Sequence, residues 1–139
     1  MSRLPTKIDH VAIAVPSIEQ AARFYTEALG LTLSEIEDVP SQKVRTAFLQ
    51  VGEVKLELVE PTHPDAPISK FLEQRGQGLH HVCYRVADLD AALAELKGKG
   101  LRLIDETPRA GAHGARIAFL HPKASDGVLT ELCERQHEG

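Results

Sequence analysis

The sequence predicts an α+β fold in which two tandem βαβββ modules join their strands in a curved mixed sheet. Three observations carry that expectation. His10-Val11-Ala12-Ile13-Ala14-Val15, leading through Ser17-Ile18-Glu19-Gln20-Ala21-Ala22 to Gly30-Leu31-Thr32-Leu33, is echoed by His81-Val82-Cys83-Tyr84-Arg85-Val86, Asp88-Leu89-Asp90-Ala91-Ala92 and Gly100-Leu101-Arg102-Leu103. Val54-Lys55-Leu56-Glu57-Leu58 returns as Val128-Leu129-Thr130-Glu131-Leu132. A chain of 139 residues is long enough to bury one core. The expectation is a single domain over 1–139, with module one at about 7–61, a connector at about 62–78 and module two at about 79–134.

Lys7 to Val15 alternates as a strand, with Val11, Ile13 and Val15 on one face and His10, Ala12 and Ala14 on the other. Pro16 ends it, and Ser17-Ile18-Glu19-Gln20 has capping-box spacing for a helix to about Leu29. Ile18, Ala21, Ala22, Tyr25 and Leu29 give that helix an apolar stripe able to cover the Val11/Ile13/Val15 face, and Gly30 stops it. Strands are expected at Leu31 to Ile36, Lys43 to Val51 and Glu53 to Glu60, broken by Asp38-Val39-Pro40-Ser41 and by Gly52 in a tight turn. Strand parity sends Leu56 and Leu58 toward the helix and Glu57 to the face that carries His10. In the connector, Asp65-Ala66-Pro67 starts a short helix with Ile68, Phe71 and Leu72, and Gly76-Gln77-Gly78 releases it.

The second module repeats the order. His81 to Val86 is its first strand; Asp88 caps a helix bearing Leu89, Ala92, Leu93 and Leu96, ended by Gly98 and Gly100. Leu101 to Asp105, Arg116 to Leu120 and Gly127 to Glu134 supply strands, with loops at Pro108 to Gly114 and His121 to Asp126. Parity sets His81 and Cys83 against Val82, Tyr84 and Val86, and Glu131 against Thr130 and Leu132.

Sixteen Lys and Arg against 20 Asp and Glu leave no basic field for nucleic acid or an anionic membrane. The start, from Met1 to Lys7, has no apolar signal core, and no later run is long enough to span a bilayer, so a soluble cytoplasmic protein is expected. Cys83 and Cys133 lie far apart in apolar strands, where a free cysteine acts as a small core residue and no disulfide is expected.

A histidine or glutamate alone in a strand means little. Here His10 and His81 are repeat-equivalent, as are Glu57 and Glu131, and all four project from the face opposite their module's helix. If the faces line one concavity, the sheet encloses a metal-containing cleft: imidazole nitrogen with carboxylate oxygen suits a divalent Co, Ni, Zn or Mn ion. Open positions would make the metal catalytic, binding neighbouring substrate oxygens while a weakly acidic C–H proton is removed to give a metal-held enolate. Glu57 and Glu131 on opposite sides would allow proton transfer on two faces.

Other candidates rank lower. In His80-His81 only His81 aligns with His10, leaving His80 a packing or hydrogen-bonding role. His63, His113, His121 and His137 fall in loops or the tail; His113, in Gly111-Ala112-His113-Gly114, borders the site most readily, and a surface turn is as good a reading. Lys123 could hold an anionic substrate group, although a solvated loop lysine is commoner. Glu60 and Glu134 have the opposite parity to the proposed ligands and are expected to be exposed or at strand ends.

The paired modules with these four residues resemble the vicinal oxygen chelate superfamily, which includes glyoxalase I, extradiol dioxygenases, fosfomycin-resistance enzymes and metal-free bleomycin-binding proteins. Within it, Ile8 to Pro16, Lys55 to Pro61, Gly78-Leu79-His80-His81-Val82, Gly111 to Gly114, and Phe119-Leu120-His121-Pro122-Lys123 with Gly127 to Leu132 resemble the methylmalonyl-CoA epimerase family, over about Lys7 to Glu134. The resemblance implies metal ligands at His10, Glu57, His81 and Glu131, with Glu131 doubling as a base. It implies interconversion of (2R)- and (2S)-methylmalonyl-CoA, an acyl-CoA partner and, by analogy, a homodimer. Some bacterial epimerases carry a second catalytic glutamate in the third strand, and alignment through Lys43-Val44-Arg45-Thr46-Ala47-Phe48 puts Thr46 there. Threonine cannot be that base: Glu57 takes the role, or a group such as His113 does, or the activity differs.

Two rivals stand beside this reading. Glyoxalase I shares the fold and a two-His, two-Glu set, and the His-Pro-Lys and Gly-Ala-His-Gly loops favour the epimerase. A metal-free binding protein of the same fold would lack ligands and offer aromatic stacking surfaces, whereas all four ligands are present and aromatics are 4%. Extradiol iron sites normally use two histidines and one carboxylate, which leaves Glu57 surplus.

Overall fold

The computed structural model describes residues 5–135. The chain has two tandem βαβββ modules of the α+β class. The first runs β1 (Lys7–Ala14), α1 (Ile18–Arg23), β2 (Glu37–Val39), β3 (Val44–Val51) and β4 (Val54–Pro61); α2 (Pro67–Arg75) follows. The second runs β5 (Gly78–Arg85), α3 (Leu89–Gly98), β6 (Arg109–Ala110), β7 (Arg116–Leu120) and β8 (Thr130–Glu134). Among the described residues two compact units emerge, 10–80 and, together, 5–9 with 81–135.

In the first unit β1 pairs with β4 in parallel, in the register Ala12 to Glu57, while β3 pairs antiparallel with β2 and β4. Ser17 caps α1 as expected, accepting from the Gln20 N–H at 3.2 Å. Val15, Ile18, Ala22, Ala47, Leu49 and Leu58 form the core beneath the helix, with Ile13 and Leu56 packed against it. The helix does not run to Leu29 in α form; its end, Phe24–Ala28, widens into a π turn.

In the second unit β5 pairs with β8 in parallel, Cys83 to Glu131, and β7 is antiparallel to β8 and β6. Asp88 caps α3, accepting from the Ala91 N–H at 3.0 Å. Val86, Leu89, Ala92, Leu93, Ala118, Leu120 and Leu132 make its core. The α2 helix starts at Pro67 and ends at Gly76, whose φ of 75° favours glycine.

Two expected strands shrink, for one reason. Leu31 to Ile36 keeps a single bridge, Leu33 to Leu49, and Leu101 to Asp105 keeps one, Leu103 to Leu120. Beyond each bridge a side chain takes one ladder bond while the backbone keeps the other: Ser34 Oγ accepts from the Phe48 N–H at 2.8 Å, and Asp105 Oδ2 accepts from the Phe119 N–H at 2.9 Å, while the Ser34 and Asp105 N–H groups donate to the Phe48 and Phe119 carbonyls. β8 also starts later than Gly127, where the backbone φ is 120°.

Glu60 and Glu134 lie at strand ends, one of the two expectations for them, and are half-buried rather than exposed. Glu60 Oε1 accepts from the Ile18 N–H at the start of α1, and Glu134 Oε1 from the Leu89 N–H at the start of α3, both at 2.8 Å. Each carboxylate occupies an otherwise orphaned helix donor at the positive end of the helix dipole. Arg45 ties Glu60 to Glu19, and Arg116 ties Glu134 to Asp90, so the device is duplicated with the module. Among the described residues no helix is long and apolar enough to cross a membrane. His137 and Met1–Leu4, part of the N-terminal stretch read for a signal segment, lie outside the described residues.

Candidate functional site

Each module builds the same three-residue group. In the first unit, β1 carries His10 and β4 carries Glu57, and their parallel register brings His10 Nε2 to 3.3 Å from Glu57 Oε1. β3 pairs Phe48 directly with Glu57, and the Phe48 ring stands edge-on to His10 with centroids 5.7 Å apart. In the second unit His81 Nε2 lies 3.0 Å from Glu131 Oε1, and Phe119, paired with Glu131, stands edge-on to His81 at 5.3 Å. His10, Glu57, His81 and Glu131 are all buried, at 4 to 6% exposure.

The pairs arise from the pleat. Ile13, Val15, Leu56 and Leu58 are drawn to α1 by the hydrophobic effect, so alternation leaves His10 and Glu57 on the opposite face. The same holds for Tyr84, Val86 and Leu132 beneath α3, which turn His81 and Glu131 away. The phenylalanines were missed in reading for polar chemistry, though Arg45-Thr46-Ala47-Phe48-Leu49 and Arg116-Ile117-Ala118-Phe119-Leu120 share an Arg-x-Ala-Phe-Leu pattern that marks them as repeat-equivalent.

The donor chemistry suits a divalent cation. Each pair offers one imidazole nitrogen and one carboxylate oxygen, and a carboxylate removed from water needs positive charge close by. His10, Glu57 and His81 rank among the buried residues that can each give a metal one ligand atom.

The second unit also buries a charge cluster that strand reading did not find. Asp9 Oδ1 accepts from Arg85 Nε and Nη2 at 3.1 and 2.8 Å and from Arg135 Nε at 2.9 Å; Asp9 Oδ2 accepts from Arg135 Nη2 at 2.8 Å. These bonds raise the Arg135 guanidinium above its ordinary pKa. Cys83 and Cys133 are fully buried free thiols, as expected, and desolvation together with the Cys133 contact pushes the Cys83 thiol well above its usual range.

The two loop candidates, His113 and Lys123, lie on exposed turns. His113 is exposed, with φ 56° and ψ 36°, a left-handed conformation unusual outside glycine. Gly111 lets the same loop lie on β7, since a Cβ there would meet Ile117 Cγ2 at 2.7 Å. Lys123 is exposed in the turn Pro122–Ser125, where its N–H donates to His121 Nδ1 at 3.1 Å. His80 packs edge-on to Phe71 at 4.9 Å, the packing role its parity suggested.

Residues 9–119 match the model of the glyoxalase/bleomycin resistance protein/dioxygenase superfamily. An uncharacterised Bacillus subtilis protein is 48% identical over 92% of this chain and 91% of its own. Human mitochondrial methylmalonyl-CoA epimerase is 43% identical over 91% of this chain and 72% of its own. A solved methylmalonyl-CoA epimerase in complex with methylmalonyl-CoA and NH4+ superimposes with a TM-score of 0.92 at 38% identity, covering 97% of this chain and 98% of that one.

Proposed function

Because the chain belongs to the glyoxalase/bleomycin resistance protein/dioxygenase superfamily, we propose that it is an isomerase that interconverts (2R)- and (2S)-methylmalonyl-CoA with the help of a divalent metal. The observation that carries the reading is the duplicated, buried His–Glu pair, His10 with Glu57 and His81 with Glu131. The similarity to methylmalonyl-CoA epimerases, extending over nearly the whole chain, supports the substrate.

On this reading His10, Glu57, His81 and Glu131 hold the metal, whose identity among Co, Ni, Zn and Mn is set by supply as well as by ligands. A divalent cation held by these residues would supply positive charge that stabilises negative charge developing on the acyl group. Glu131, buried beside His81, takes the C2 proton on one face. Glu57 returns a proton on the other face, since Thr46, aligned with the base of some relatives, has no basic group. His113 and Lys123 contact the substrate from their loops, with Lys123 offering a cation to the anionic CoA portion. The protein works as a single-domain protomer of a cytoplasmic homodimer, which size-exclusion with light scattering tests.

The test is solvent exchange at C2. Metal-loaded protein incubated with methylmalonyl-CoA in D2O incorporates deuterium at C2 and equilibrates the two epimers. A protein that holds its metal yet gives no exchange refutes the proposal, and turnover of the methylglyoxal–glutathione hemithioacetal in its place would identify a glyoxalase.

A further inference from the structure

Thr46 is buried to 2% exposure, and its hydroxyl has no hydrogen-bond partner among the described residues. A hydroxyl taken out of water without a partner is costly, so its presence in a well-packed strand calls for a reason. The duplicated module shows what packing alone would choose. Its equivalent in Arg116-Ile117-Ala118-Phe119-Leu120 is Ile117, buried with Cys83, Ala115, Phe119 and Cys133 in an apolar cluster. At the same step of the same strand one module is apolar and the other keeps a hydroxyl.

The position gives the reason. On β3, Ala47 and Leu49 enter the core under α1, and Arg45 reaches Glu19 and Glu60, so alternation turns Thr46 to the face of Phe48. That is the face on which Phe48 meets His10. Thr46 pairs with Val59 and Phe48 with Glu57, so Thr46 and Glu57 are diagonal neighbours about 7 to 8 Å apart at the backbone. A short acyl group bound at Glu57 would reach the hydroxyl.

Building on the function proposed above, we infer that Thr46 is a substrate-binding residue whose Oγ1–H donates a hydrogen bond to a carboxylate oxygen of the acyl group. A neutral donor suits the place. It meets the charged acceptor more strongly than it would a thioester carbonyl, and it adds no charge beside Glu57. Threonine neither gains nor loses a proton in the reaction; it orients the group from which the C2 proton departs.

Two variants test this, Thr46→Val, which keeps the shape and deletes the hydroxyl, and Thr46→Ser, which keeps the hydroxyl. Thr46→Val lowers kcat/KM for methylmalonyl-CoA about tenfold, chiefly through KM, while Thr46→Ser stays within about threefold of the parent. Thermal unfolding of the substrate-free proteins gives Thr46→Val a midpoint at or above the parent's, because an unpaired buried hydroxyl has been removed. Unchanged kcat/KM in Thr46→Val, equal loss in both variants, or a lowered midpoint in Thr46→Val would each overturn the assignment. A parent protein without turnover overturns the epimerase reading itself; an active parent matched by Thr46→Val overturns only the role of Thr46.

Discussion

His81 Nε2 and Glu131 Oε1 approach to 3.0 Å with both side chains about 95% shielded from water. The two residues are 50 positions apart, and the parallel pairing of β5 with β8 is what joins them. Truncating His81→Ala removes a nitrogen donor and is expected to lower both bound metal and turnover, read by elemental analysis and epimerase assay of the same preparation. Glu131→Gln keeps the shape of the pair and removes the proposed base, so turnover is expected to fall by about 10²-fold or more. Normal metal content with normal turnover in His81→Ala would end the ligand assignment.

Glu57→Gln separates the two faces of proton transfer. With Glu131 intact, one epimer still exchanges its C2 proton with D2O, while conversion to the other epimer drops by about 10²-fold. NMR of each epimer incubated separately reads both quantities. Equal loss of exchange for the two epimers would assign Glu57 to metal binding without a proton-transfer role.

Chelation offers a check independent of turnover. If the paired residues hold a cation, the folded state gains stability from binding it, and EDTA lowers the thermal midpoint of metal-loaded protein. The effect should vanish in a His10→Ala/His81→Ala double variant, and a midpoint indifferent to EDTA in the parent would count against the site.

Asp9→Asn tests the buried charge cluster. The substitution leaves the guanidiniums of Arg85 and Arg135 without the carboxylate that accepts four of their N–H bonds, and the expected cost is about 3 to 5 kcal/mol. Urea unfolding measures it. A loss under about 1 kcal/mol would show that water reaches the cluster readily.

Glu134→Ala removes the acceptor for the Leu89 N–H and the anion beside Arg116, and a destabilisation of about 1 to 2 kcal/mol follows from the lost cap. Glu60→Ala should cost a similar amount through Ile18. Activity per folded molecule stays near the parent's, because both carboxylates serve helix ends.

Much of the site was legible because its logic is periodic. The pleat has period two, so once Val11, Ile13, Leu56 and Leu58 are assigned to a helix, the opposite orientation of His10 and Glu57 follows, and duplication repeats the argument for His81 and Glu131. Ser17 and Asp88 were readable as caps because an N-cap contact is local, three residues in sequence. Glu60 was not readable as a cap: its partner Ile18 is 42 positions away, and parity indicates only that the side chain points toward the helix.

The sequence by itself determined the two βαβββ modules, the helix-facing and opposite faces of β1, β4, β5 and β8, and the four residues proposed for metal. It could do so because apolar spacing and local capping act over a few residues, and the repeat doubles the signal. Tertiary structure alone decided which strands stop early, where Ser34 and Asp105 each take over one ladder bond, and that Glu60 and Glu134 cap helices. It also decided that Asp9 gathers Arg85 and Arg135, and that the Thr46 hydroxyl is buried without a hydrogen-bond partner among the described residues. These outcomes depend on which distant groups are brought within hydrogen-bond reach, and that distance is fixed only when strands pair and helices pack.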